Sequence, residues 1–148
     1  MRKAFIDANI LVAVLNNEYP LFRSASRVLS LADYPAFELY TSTTCLAIAF
    51  YFAEKKSGAE VAKEKIRKLA KHIRIAGSGD KEVQSALTHK KVLDFEDGLQ
   101  YFTAVNANCD VIITEDGEDF HFAEIPVMNC ESYLREIALP LLKTSSSR

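Results

Sequence analysis

The chain has 148 residues, 49% hydrophobic and 26% charged, with a net charge of −2. These figures fit one globular domain with length enough for a real core, and they exclude a low-complexity or disordered chain. No apolar run approaches the roughly 20 residues that span a bilayer, and the first one is broken by Asp7, so neither a membrane segment nor a secretory leader is expected and the protein reads as cytoplasmic.

Short apolar runs alternate with amphipathic stretches, the pattern of an α/β fold in which helices cover a parallel sheet. Residues 4–6 read as a buried first strand ending at Asp7, and Asn9 is the expected cap of a helix over 10–15. Asn16, Asn17 and Pro20 mark a loop, residues 21–32 repeat apolar positions at helical spacing, and residues 37–41 form a second strand. Ser42 opens a helix that stops near Gly58; a further helix over 59–72 is expected to turn Val61, Ile66, Leu69 and Ala70 inward. A short strand over 73–75, a short helix over 80–87 and a helix capped by Asp94 and running to about 106 follow. Residues 111–114 are the clearest strand; a late strand over 125–128 and a helix over 131–142 complete one domain over 1–142. The polar segment 143–148 is expected to be disordered. Cys45, Cys109 and Cys130, like the three histidines, are scattered without ligand or disulfide spacing, so core thiols are expected rather than soft-metal chemistry.

Two acids stand directly after buried strands, Asp7 and Asp116. In an open parallel sheet the C-terminal strand ends are where ligands bind, so the two converge if their strands are neighbours. Asp97 adds a third carboxylate from the first turn of the helix leading into the second of these strands. Clustered carboxylates repel, and a hard divalent cation such as Mg²⁺ or Mn²⁺ relieves them. Such an ion supports phosphodiester hydrolysis. Each acid also has a plainer account: Asp7 as a turn residue, Asp94 as a helix cap, Asp97 as a favourable charge at a helix start. An aspartyl phosphohydrolase is disfavoured because Asn9 stands where its second Asp is needed.

Three stretches resemble the PIN-domain family. Residues 5–12 (FIDANILV) are similar to its opening strand and turn, 94–104 (DFEDGLQYFTA) to its third-acid helix, and 113–120 (ITEDGEDF) to the strand-end motif that comes after it. The resemblance implies a three-layer α/β fold with a central parallel sheet, and metal-dependent cleavage of RNA, often by the toxin of a toxin–antitoxin pair and as a homodimer. Carried over by position, it implies Asp7, Asp97 and Asp116 as catalytic metal-binding acids, with Asn9, Asp94, Thr114 and Asp119 in support and Mg²⁺ or Mn²⁺ as cofactor. The sequence departs from the family in one respect: Ile48 stands where a second acid, often Glu, is usual. Glu54 lies six residues further, roughly 240° round the helix, and cannot substitute. This departure carries the alternative, a weakly active or inactive domain that binds RNA or a protein.

Lys63, Arg67, Lys71 and Arg74 recur at helical spacing, and Lys90 and Lys91 lie just before the acidic helix. Lys63, Arg67, Lys71, Lys90 and Lys91 are the candidate phosphate contacts. A solvated helix face describes the stripe as well, and is the preferred account.

Overall fold

The computed structural model describes residues 1–146. Strands β1 (Arg2–Ile6), β2 (Phe37–Ser42), β3 (Arg74–Ala76), β4 (Val111–Ile113) and β5 (Val127–Met128) form one sheet in the order β3-β2-β1-β4-β5, every pairing parallel. Parallel neighbours need crossovers, and helices supply them. The connecting helices are α1 (Ala8–Leu15), α2 (Leu21–Ser30), α3 (Thr43–Ser57), α4 (Ala59–Ala70), α5 (Asp80–Thr88) and α6 (Phe95–Asn106). A 3-10 turn (Gly117–Phe120) lies between β4 and β5, and after β5 comes a C-terminal run of α7 (Cys130–Tyr133), a π-type turn (Leu134–Ala138) and α8 (Leu139–Ser146). This is the expected three-layer architecture. The polar segment expected to be disordered is helical as far as Ser146, and its remaining residues lie outside the described ones. No helix among the described residues is long and apolar enough to cross a membrane.

β1 sits at the centre, and Ala4, Phe5 and Ile6 are fully buried, as a strand covered on both faces requires. Around it Ile10, Leu11, Val28, Leu39, Ile112 and Ile113 close the core, and all three cysteines are buried thiols within it.

Packing accounts for several local departures from the sequence pattern. Asp7, not Asn9, caps α1, because the helix starts two residues earlier than the apolar pattern suggests. In α4 the buried residues are Ala62 and Leu69, while Val61 and Ala70 are exposed. A small side chain lets α4 lie close on α3, so alanine rather than valine marks the contact face. Gly58 joins these helices at φ +85°, a conformation that favours glycine.

Gly98 has a different role. A Cβ there would stand 2.5 Å from Val92 Cγ1 and 3.2 Å from Ala86 Cβ, so glycine lets α6 meet α5 and the segment between them. The Gly98→Ala variant gains about 1 kcal/mol of helix propensity but overpacks this contact at a cost of about 1–3 kcal/mol. Urea unfolding is expected to show a net loss; a more stable variant would mean that Val92 gives way freely.

Candidate metal and phosphodiester site

Ile6 and Ile113 are register partners at the C-terminal ends of β1 and β4. The next residues, Asp7 and Thr114, therefore emerge side by side, and Asp7 N–H donates to the Ile113 carbonyl at 3.0 Å. The buried Thr114 hydroxyl is the hub of the site. It donates to Asp7 Oδ2 at 2.8 Å and accepts from the Asp116 N–H and from Asn9 Nδ2, both at 3.1 Å. Asn9 Nδ2 also donates to Asp116 Oδ2 at 2.9 Å, and Asn9 Oδ1 accepts from the Glu115 N–H at 3.4 Å. Asn9 is thus a bridge between α1 and the turn after β4.

Asp7 Oδ1 accepts from the Ala8 N–H at 2.8 Å and lies 3.8 Å from Cys45 Sγ. Burial raises the Asp7 pKa and the nearby Asp116 adds to that, while the bonds from Thr114, Ala8 and Cys45 oppose it. Cys45 is pushed up to about 12 by burial and by Asp7, so it stays a neutral thiol and a weak donor.

Asp97 arrives from α6. Asp94 caps that helix, accepting from the Asp97 N–H at 3.1 Å, and this sets Asp97 in its first turn. Burial lifts the Asp97 pKa to about 7, helped by the charges of Asp94, Asp119, Asp7 and Glu96. Glu96 is raised too, by burial and then by Asp94 and Asp7. Asp7, Asp97, Asp116 and Asp119 therefore share one pole of the molecule.

The acids are coupled in pairs rather than closed into a cage: among the described residues no three His, Cys, Asp or Glu side chains stand ready to enclose an ion. The donor set is all oxygen, and every charged neighbour acting on Asp97 is another acid. That combination fits a hard divalent cation. Asp7, Asp97 and Asp116 are the residues that would hold it.

Two partners of the site were not evident from the sequence. Gln100 lies one turn beyond Asp97, 2% exposed, and its Oε1 accepts from Ser42 Oγ at 2.5 Å. Ser42 in turn caps α3 by accepting from the Cys45 N–H at 3.0 Å. An amide on a helix face otherwise built from Tyr101, Thr103 and Ala104 was the available signal. The second is Glu115, which turns away from the acids to accept from the Cys130 N–H at 3.2 Å. Ile48 packs half-buried against the core, an apolar residue where the family pattern has an acid.

The basic residues divide. α4 directs Lys65 Nζ onto the Leu15 carbonyl at 2.7 Å, and His72 beyond it lies 3.6 Å from Asp33, just before β2. Lys71 and the stripe from Lys63 through Arg67 therefore lie toward the sheet edge opposite the acids, and Arg67 is paired with Glu64. Lys90 and Lys91 line a hollow of about 470 Å³ with His89, His121 and Phe122, on the segments that also carry Asp94 and Asp119.

The fold and site define an α/β domain whose two central parallel strands present carboxylates at a common, acidic pole. The chain belongs to the PIN-domain family, whose profile matches residues 3–118. Ribonuclease VapC1 of Aquifex aeolicus (strain VF5) is 24% identical over 135 residues, 88% of this chain and 92% of that protein. Two solved structures share the fold. VapBC-1 of nontypeable Haemophilus influenzae has a TM-score of 0.66 at 19% identity, covering 87% of this chain and 98% of the other. Mycobacterium tuberculosis VapC20, a Sarcin-Ricin loop cleaving toxin, has a TM-score of 0.62 at 16% identity, covering 82% and 98%.

Asp97 provides a test. Its folded pKa, about 7, exceeds the unfolded value of 3.8. The folded protein therefore holds a proton that the unfolded chain releases, and stability falls as pH rises from about 4 to about 7. Without divalent ions, wild type should lose a few degrees of Tm relative to Asp97→Asn over that interval, a modest effect because the group is partly solvated. Parallel Tm–pH curves for the two proteins would show that Asp97 is not under acidic pressure.

Proposed function

We propose that this protein is a divalent-metal-dependent ribonuclease of the toxin type, acting in the cytoplasm and held in check by an antitoxin. The observation that carries the reading is the carboxylate pole, where Asp7 and Asp116 share Thr114 and Asn9 and where Asp97 is lifted by burial and then by the charges of neighbouring acids. The ribonuclease and the Sarcin-Ricin loop cleaving toxin among its relatives support RNA as substrate, and the two-component VapBC assembly supports an antitoxin partner.

Mg²⁺ or Mn²⁺, when bound, supplies Lewis acidity toward a phosphodiester and makes a water easier to deprotonate. The protein's own part is orientation. Thr114 fixes Asp7 through Oδ2, Asn9 fixes Asp116 through its own Oδ2, and Asp94 sets the helix start from which Asp97 projects. These bonds hold the carboxylates before any substrate arrives, and such preorganisation lowers the reorganisation needed during reaction. Asp97, raised by burial and by its acidic neighbours, is the carboxylate whose charged form a divalent cation would favour most. Lys90 and Lys91 stand where they can meet phosphates flanking the cut, and a homodimer is the proposed assembly.

Ile48 favours a second reading, an RNA- or protein-binding module of little activity. Cleavage of single-stranded and structured RNA with Mg²⁺, Mn²⁺ or chelator decides between them. Wild type should cut only with metal, and Asp7→Asn or Asp97→Asn should reduce the rate at least about a hundredfold. Calorimetric Mn²⁺ titration should show weaker binding to Asp97→Asn. Equal activity in wild type and variants would trace the cutting to a contaminant, and no metal binding by wild type would favour the module.

A further inference from the structure

A polyanionic strand meets repulsion at the acidic pole, so its affinity must come from cations on adjoining surface. The α4 stripe faces the other edge of the sheet. Three arginines from two distant segments converge instead. Arg23 and Arg27, four residues apart on one face of α2, line an open hollow of about 530 Å³ with Arg135 from the C-terminal helical run. Arg23 and Arg27 are exposed and make no ion pair among the described residues; Arg135 bonds Glu136 at 3.4 Å. Glu131 is the one carboxylate on the wall among the described residues.

This hollow reaches the turn after β4. Pro20, Ser24 and Glu131 line both it and a smaller hollow of about 220 Å³, whose wall includes Glu115, the neighbour of Asp116. Among the described residues, Glu115 and Glu131 are the carboxylates on the walls of the two hollows, against three arginines, and the Cys130 N–H donates to Glu115. The two hollows thus form one groove, running from the turn after β4 down between α2 and the C-terminal helix.

We propose that this groove is a docking track for the single-stranded RNA substrate, with Arg23, Arg27 and Arg135 holding phosphates on one side of the cut. The assignment rests on the ribonuclease reading and extends it to residues that never touch the reacting bond. Guanidinium groups suit the role because their planar donors grip phosphate oxygens in pairs.

The test uses the full chain. Binding of a short labelled single-stranded RNA is followed by fluorescence anisotropy in the Asp97→Asn background, with and without Arg23→Gln plus Arg27→Gln. The double substitution should weaken binding about tenfold at low salt and reduce the slope of log K against log salt by about 1.4, two phosphates at roughly 0.7 each. Arg→Lys at both positions should keep most of the slope while losing part of the affinity. In the otherwise wild-type chain, the Gln pair should slow cleavage of long RNA while leaving a dinucleotide substrate and the melting temperature unaffected. Unchanged affinity and slope would overturn the track while leaving the nuclease reading intact. Loss of binding to polyglutamate, with RNA binding unchanged, would reassign the groove to an acidic protein partner. A wild-type chain that neither binds nor cuts RNA would overturn both readings.

Discussion

The pairing of β1 with β4 is the constraint on which the site depends. Asp7 and Asp116 are separated by more than a hundred residues, and only the side-by-side, same-direction run of their strands brings them to one edge. The pairing places the Thr114 hydroxyl against Asp7, and α1, starting at once after the strand, swings Asn9 across to Asp116. The carboxylates are thus fixed by backbone register first and by side-chain bonds second. Changes that shift the β4 ends should disturb the site even where no acid is touched.

The same register concentrates charge. Burial and mutual repulsion act together on Asp97, and burial outweighs three hydrogen bonds at Asp7. A fold that keeps such a cluster gives up stability at neutral pH, which is the cost expected of the proposed site. The surrounding core bears this because its centre, Phe5, Ile6, Ile112 and Ile113, is fully enclosed.

Much of this was legible in the sequence. Buried strands followed by aspartate were readable, and although a turn residue accounts for either acid alone, two such strands in one parallel sheet point to one edge. Asp94 as cap and Ser42 as helix opener read equally well, since capping is local chemistry. What could not be read depends on contacts between distant segments. Asn9 has the side chain of a cap, yet Asp7 takes that role and frees it to reach Thr114. Val61 follows helical periodicity inward, but Ala62 is the residue small enough for the α3 contact. Gly98 looks like a weakness in a helix until Val92 is seen against it. The basic stripe is conspicuous by spacing and lies toward the wrong edge, while Arg23, Arg27 and Arg135 carry no common motif and meet only after folding.

The Thr114 hydroxyl has one hydrogen and several neighbours. Two of them, the Asp116 amide and the Asn9 side-chain nitrogen, can only give, so the lone proton is committed to Asp7. The relay therefore has a sense, running from the turn after β4 toward the first strand and not back. Valine at this position would strand two donors facing a methyl group, whereas serine keeps the traffic flowing in its original direction. The identity of a single oxygen, more than the bulk around it, decides whether the two halves of the pole act as one.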